Sequence, residues 1–252
     1  EVSYDAADTI KQWHLRGVMS GPGEGSFYDL VSAYLNGTAD SLPSILNASN
    51  TKRRRLDEIP FWYKNQPDFE HRIIYYESSR GCPFSCSYCL SSIDKEMDFR
   101  QTKRVCQELD FFLTQNTAQV KFVDRTFNCK KSHALPILQY ILEHDNEITN
   151  FHFEIAADLL DEDYFALLKQ MRPGAVQLEI GVQSTHPETI AEIHRRMDFA
   201  RVTSAVKLLH SFHNIHIHLD LIAGLPFEDL TTFQCSFNDV YDLCPQQLQL
   251  GL

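Results

Sequence analysis

From about residue 71 onward the chain alternates short β-like runs with longer helical ones, and no other feature narrows its fold so far. Six strand candidates fall at 72–77, 119–124, 150–156, 175–182, 215–222 and 246–251. Helical stretches lie between them, near 100–115, 133–144, 161–171, 186–195 with 200–211, and 229–243. In the stretch 161–171, Tyr164, Phe165, Leu167, Leu168 and Met171 gather on one side, as a helix that covers a sheet requires. Strands separated by helices pair in parallel, because the crossover returns the chain to the edge where the previous strand began. The class is therefore α/β. Two architectures share this local pattern: a partial (β/α)6 TIM-like barrel and an open doubly wound sheet.

Strand side chains point alternately to the two faces of a sheet. In Ile215-His216-Ile217-His218-Leu219-Asp220-Leu221-Ile222 the apolar set belongs against helices, so His216, His218 and Asp220 face the other way. The same parity groups Gln177, Glu179, Gly181 and Gln183, then His152, Glu154 and Ala156, then Gln247 and Gln249. A closed eight-stranded barrel fills its interior with branched apolar side chains; this inner face is polar. Buried polar groups need partners, and a hydrophilic ligand with water supplies them. Barrels bind at the carboxyl ends of their strands, which selects Asp124, Glu154, Glu179, Gln183, Asp220 and Gln249. The histidines lie deeper. His216 and His218, two apart on one strand, have zinc-ligand spacing, although a satisfied hydrogen-bonding role is the plainer reading.

Directly after the first strand candidate comes Arg80-Gly81-Cys82-Pro83-Phe84-Ser85-Cys86-Ser87-Tyr88-Cys89, with thiols at spacing C-x3-C-x2-C. Clustered thiolates favour zinc or iron–sulfur chemistry. Three of them leave one corner of a cubane cluster, or of a tetrahedral zinc, without a cysteine. The competing readings are a zinc knuckle completed by a neighbour such as His71, or three unrelated buried thiols. Zinc sites are more commonly built from two C-x2-C pairs. Seven cysteines, an odd number with three in one loop, argue against a disulfide framework and for a reducing compartment, so the expected location is cytoplasmic. No signal peptide and no apolar run of about 18 residues is visible, so neither export nor a membrane partner is expected. Acidic residues exceed basic ones by 34 to 23, which excludes a general positive field toward nucleic acid; only a local RNA site is left open. The run Lys52-Arg53-Arg54-Arg55 reads as a solvated face.

Ahead of the alternating region, Gly17-Val18-Met19 and a glycine-rich turn lead into a helix whose Phe27, Leu30, Val31, Tyr34 and Leu35 share one face. Gly37 suits the left-handed residue that ends a helix. Residues 38–70 are rich in Ser, Asn, Pro and charge, and Pro43, Pro60 and Pro67 discourage long helices. This reads as a linker, packing on the barrel through Ile59, Phe61, Trp62 and Tyr63. A chain of 252 residues suits one large domain or two smaller ones. Beginning at Glu1 and stopping at Leu252 inside a strand candidate, it is expected to be a piece of a longer protein.

At Cys82, Cys86, Tyr88 and Cys89 the sequence resembles the radical S-adenosylmethionine (SAM) superfamily, whose loop is C-x3-C-x-aromatic-C. The segment Glu179-Ile180-Gly181-Val182-Gln183-Ser184 resembles the fourth strand of that family. Leu219-Asp220-Leu221-Ile222-Ala223-Gly224-Leu225-Pro226 resembles its fifth. The resemblance implies the barrel, with Cys82, Cys86 and Cys89 holding a [4Fe-4S] cluster whose fourth iron is chelated by the amino and carboxylate groups of SAM. One electron then cleaves SAM to methionine and a 5′-deoxyadenosyl radical. It further implies SAM contacts from Glu179, Gln183, Asp220 and, through the backbone, Ile222 and Gly224, with Tyr88 beside the adenine. The second strand ends Phe122-Val123-Asp124-Arg125-Thr126-Phe127 in place of the Gly-Gly-Glu found in many members, which leaves the amino group of SAM to Asp124 or nearby carbonyls.

That F-x-D-x-x-F ending, and the G-x-G-E-x-x-F turn at Gly21–Phe27, resemble the cobalamin-associated branch. Its D-x-H-x-x-G motif is not in this sequence, so no residue is assigned to cobalamin. The implied organisation is a C-terminal remnant of a Rossmann-like cobalamin-binding-type α/β domain at 1–50, a linker at 51–70, and a radical SAM core at 71–252, truncated at the sixth strand. The implied activity is methyl transfer to a small-molecule substrate, with cobalamin as a further cofactor and a flavodoxin- or ferredoxin-like reductant. Another radical rearrangement or methylthiolation of RNA stands behind it. A zinc-stabilised, non-catalytic metabolite-binding module is the rival from a different class.

Overall fold

The computed structural model describes residues 5–47, 50–51, 54–65, 69, 72–92 and 95–252. Lys52, Arg53, Pro67 and His71, named above, lie outside the described residues. The chain divides into two compact units, Glu1–Pro60 and Phe61–Leu252.

In the first unit, α1 (Ala6–Trp13) is followed by β1 (Val18–Met19), α2 (Gly23–Leu35) and β2 (Ile45–Leu46). β1 and β2 pair in parallel, Val18 opposite Ile45 and Met19 opposite Leu46. α2 ends as its glycine foretold: Gly37 takes φ +68, its N–H donates to Tyr34 O, and Thr38 N–H reaches back to Ala33 O, which together satisfy the last carbonyls. The apolar face expected of α2 is turned outward. Phe27, Tyr34 and Leu35 are exposed, and the buried residues are Gly25, Ser26 and Ala33. Small side chains let the helix approach its neighbours closely, and that side packs. Arg54, from the basic run, lies 4.7 Å over the Tyr28 ring.

The second unit is built on a six-stranded sheet. Its elements are β3 (Ile73–Tyr76), β4 (Ser79–Arg80), β5 (Asp98–Phe99), α3 (Thr102–Thr114), β6 (Gln119–Phe122), α4 (Lys131–Glu143), β7 (Asn150–Ile155), α5 (Glu162–Leu168), β8 (Val176–Gln183), α6 (Pro187–Glu192), α7 (Phe199–Ser211), β9 (His216–Ile222), α8 (Leu230–Tyr241) and β10 (Gln247–Gly251). The spatial order is β10-β9-β8-β7-β6-β3, and every pair is parallel. Strand order follows chain order without reversal. A doubly wound sheet reverses at a switch point, so this is the partial (β/α)6 barrel, with β3 and β10 as its edges.

Packing follows parity. Val176, Leu178, Ile180 and Val182 of β8 are buried while the alternate residues are half-buried. Those four join Phe151, Phe153, Ile217, Leu219 and Leu221 in the core under the helices. Phe61 and Tyr63 pack on the same core, whereas Trp62 is 66% exposed. The polar positions meet in registered rows on the other face. One runs Lys121, His152, Gln177, His216. The next runs Glu154, Glu179, His218, Gln247. Among the described residues no helix is long and apolar enough to cross a membrane.

Candidate active site

The cysteine loop is closed at its base by β4 and β5, which pair antiparallel as a two-rung ribbon separate from the six-stranded sheet. Three fixtures hold this base. Gly81, at φ +94, turns where a Cβ would collide with the Glu96 carbonyl, so glycine is required there. Arg100, just past β5, pairs with buried Glu108 at 3.0 Å, and Glu108 also accepts from Arg104 at 2.9 Å and from Tyr76 Oη at 2.7 Å. Asp124, just past β6, accepts from Ser78 N at 2.8 Å, Ser78 Oγ at 2.5 Å and Ser79 Oγ at 2.9 Å. Buried without a cation, its carboxyl is pushed up to about 6 by desolvation, against the opposing serine hydrogen bonds.

Asp124 therefore corrects the sequence expectation. It is fully buried and anchors the loop's root instead of facing a ligand. Its parity matches that of buried Val120 and Phe122, so alternation itself points it away from the lumen. Lys121 and Arg125 have the opposite parity, and Arg125 reaches the cavity.

The loop closes over the strand ends as a cavity of about 200 Å³ whose lining includes Cys82, Cys86, Cys89 and Tyr88 together with Glu154, Glu179, Gln183 and Asp220. Cys82 and Cys86 are buried, Cys89 is half-buried, and all three are free thiols. Phe84 and Ile155 supply apolar wall. Of the residues expected here, Asp124, Gln249, Ile222 and Gly224 do not line the cavity. Gln249 lies exposed on the edge strand β10. Ile222 pairs with Gly251, and Gly224 at φ +84 turns the chain beyond β9.

Arg195, which periodicity alone does not reveal, ties the site together from the segment after α6. Its Nη1 donates to Tyr88 Oη at 3.2 Å and lies 3.8 Å from Cys86 Sγ, while Nη2 donates to the Gly181 carbonyl. Ser87 N–H donates to Ile193 O at 2.9 Å, so the loop and this segment are joined twice. Burial pushes the Tyr88 phenol up to about 12, with Arg195 opposing. Gln183 adopts φ +73, a strained value for a non-glycine residue, where the β8–β9 register shifts.

Two cavity-lining residues carry buried polar atoms without a hydrogen-bond partner, Gln183 Oε1 and Arg195 Nε, whereas Asp220 Oδ1 lies 2.9 Å from His218 Nε2. Such groups are costly to leave unpaired, and here they converge on one space. Glu179 Oε2 accepts from His152 Nε2 at 2.7 Å and Lys121 Nζ at 3.0 Å. The hydrogen bond from His152 first, then Lys121, hold its carboxyl down at about 2 against the cost of burial. Glu154 is raised, by burial and then by the charge of Glu179. The site thus combines soft thiols, three carboxylates and two guanidiniums.

Comparison with known proteins agrees with this geometry. The radical SAM superfamily profile matches residues 76–238, more than half of the chain. An uncharacterized methyltransferase, PH0819 of Pyrococcus horikoshii, is 27% identical over 233 residues, covering 84% of this chain and 49% of the relative. The cobalamin-dependent radical SAM methyltransferase TokK of Streptomyces tokunonensis is 24% identical over 173 residues, 63% of this chain and 24% of TokK. The chain thus spans about half or less of the curated relatives it matches. In fold it resembles the radical SAM methyltransferase TsrM of Kitasatospora setae, solved with tryptophan and a SAM analogue, at a TM-score of 0.76 and 16% identity over 96% of this chain and 52% of TsrM.

Proposed function

The chain belongs to the radical SAM superfamily, and from that premise we propose that Cys82, Cys86 and Cys89 hold a [4Fe-4S] cluster and that the adjoining cavity takes SAM. It is an enzyme. The observation that carries the site assignment is that one cavity joins the three free thiols to the orphaned atoms of Gln183 and Arg195 and to the carboxylates of Glu179 and Asp220. The donor set fits both groups: thiolates are soft ligands suited to iron–sulfur clusters, and an unpaired amide oxygen and guanidinium N–H beside carboxylates suit a zwitterionic nucleoside. When bound, the cluster supplies the electron for reductive cleavage of SAM.

The chain's own residues bind and orient. Arg195 and Arg125 attract a carboxylate. Asp220 and Glu179 accept from hydroxyl or ammonium groups, Gln183 uses its free oxygen in the same way, and Tyr88 offers a flat apolar face. Phe84 and Ile155 exclude water. Arg195 also brings positive charge near Cys86, and nearby charge and hydrogen bonding tune cluster potentials.

We propose methyl transfer as the reaction, with residues 1–50 as the end of a cobalamin-binding-type domain and a flavodoxin- or ferredoxin-like protein as the reductant. The support is the naming of PH0819 and TokK as methyltransferases and of TokK as cobalamin-dependent. The test is anaerobic reconstitution with iron and sulfide, followed by iron analysis and assay of 5′-deoxyadenosine from SAM under dithionite. About four irons per chain and product formation that Cys86→Ala abolishes are expected. Stoichiometric zinc with no iron uptake would overturn the proposal in favour of the zinc-stabilised binding module.

A further inference from the structure

Beneath the SAM-type cavity, on the polar face of the sheet, we propose a mononuclear divalent transition-metal site, of the kind zinc takes, formed by His152 of β7, Glu179 of β8 and His218 of β9. The ligand atoms these residues offer all lie within 4.8 Å of one another. His152 Nε2 is 2.7 Å and His218 Nδ1 is 3.9 Å from Glu179 Oε2. They come from three adjacent strands, with Glu179 and His218 paired in register and His152 one row deeper, so the backbone has already gathered them. Two imidazoles and a carboxylate are a recurrent donor set for zinc and other first-row ions.

An independent observation points to a ligand. His218 is 3% exposed, yet neither of its ring nitrogens has an aligned hydrogen-bond partner. A buried imidazole left so is costly. A metal on Nδ1 removes that cost, and Nε2 then faces Asp220 Oδ1 at 2.9 Å. This is the carboxylate–histidine–metal arrangement in which the outer carboxylate fixes the ring's tautomer. Asp220 Oδ1 likewise has no aligned partner, and a small rotation of the ring satisfies both. Lys121 Nζ, 3.0 Å from Glu179 Oε2, competes with the ion for that oxygen.

The test uses the cluster-loaded chain, so that iron already occupies the loop cysteines. After exposure to zinc and dialysis, zinc is measured by elemental analysis and its ligand shell by X-ray absorption at the zinc edge. About one zinc per chain is expected, with nitrogen and oxygen neighbours only. His218→Ala and His152→Ala lose it while iron content stays at the wild-type value, and His216→Ala keeps it. Lys121→Met, which removes the competing charge, tightens binding by about tenfold or more. Three results would overturn the proposal: wild type holding no more zinc than His218→Ala, sulfur in the zinc shell, or weaker binding in Lys121→Met.

Discussion

Asp124, just past β6, and Glu179, midway along β8 of the same sheet, are both acidic, and their surroundings drive them in opposite directions. Asp124 is ringed by neutral donors from Ser78 and Ser79 with no cation against it, and its carboxyl rises to about 6. Glu179 meets a lysine and an imidazole at the edge of the cavity and falls to about 2. The first holds backbone; the second keeps a permanent charge beside a ligand space. Residue type and sheet do not distinguish an anchor from a binding group, but the partners do.

The largest test of the contrast is removal of the anchor. Asp124→Ala strands the Ser78 amide and the Ser79 hydroxyl in the interior, while the Ser78 hydroxyl keeps His133 Nε2 at 3.0 Å, and at about 1–3 kcal/mol per unsatisfied donor the fold is expected to lose at least about 2 kcal/mol in denaturant unfolding. Because those donors root the cysteine loop, iron uptake falls with it. Glu179→Gln is expected to take up iron as wild type does but to bind SAM more weakly, by about tenfold to a hundredfold, the scale of a lost hydrogen bond to a charged group. Equal iron loss in both variants would erase the distinction.

The smallest effects are in pH dependence. The folded value of Asp124, about 6, lies above its ordinary 3.8, so the folded state holds a proton there that the unfolded chain has released. As pH falls from 7 through that window, wild type therefore gains stability relative to Asp124→Asn. Glu179 has the opposite sign. Its folded value of about 2 lies below 4.5, so its contribution is present above 4.5 and lost as pH falls toward 2, and wild type loses ground relative to Glu179→Gln. Melting temperatures across pH should diverge in these opposite directions by a few degrees, with the smaller slope for Glu179 because solvent reaches it.

Within the β/α region, residues close in sequence carried most of the information. All six strands lie within a residue or two of their expected places, because period-two alternation and the flanking helical periods are local properties. Parity placed His152, Glu154, Glu179, His218 and Asp220 on the polar face, since inside a strand each side chain's direction follows from its neighbour's. Continued one step past β6, the same alternation turns Asp124 away from the lumen and Arg125 into it. In α2 periodicity marked an apolar face correctly, yet the packed side consists of Gly25, Ser26 and Ala33.

By itself, then, the sequence determined the α/β class, the strands, the polar inner face and the thiol loop, each of which depends on contacts or alternation along a short stretch of chain. Tertiary structure alone decided that the strands keep chain order as a partial barrel, and that Arg195 reaches Tyr88 and Cys86 from more than a hundred residues away. It also brought Lys121, His152 and His218 together around one carboxylate. The reason is physical: these relations are set by how strands register and where loops close, and pairing free energies between distant residues leave no periodic trace in the sequence that they join.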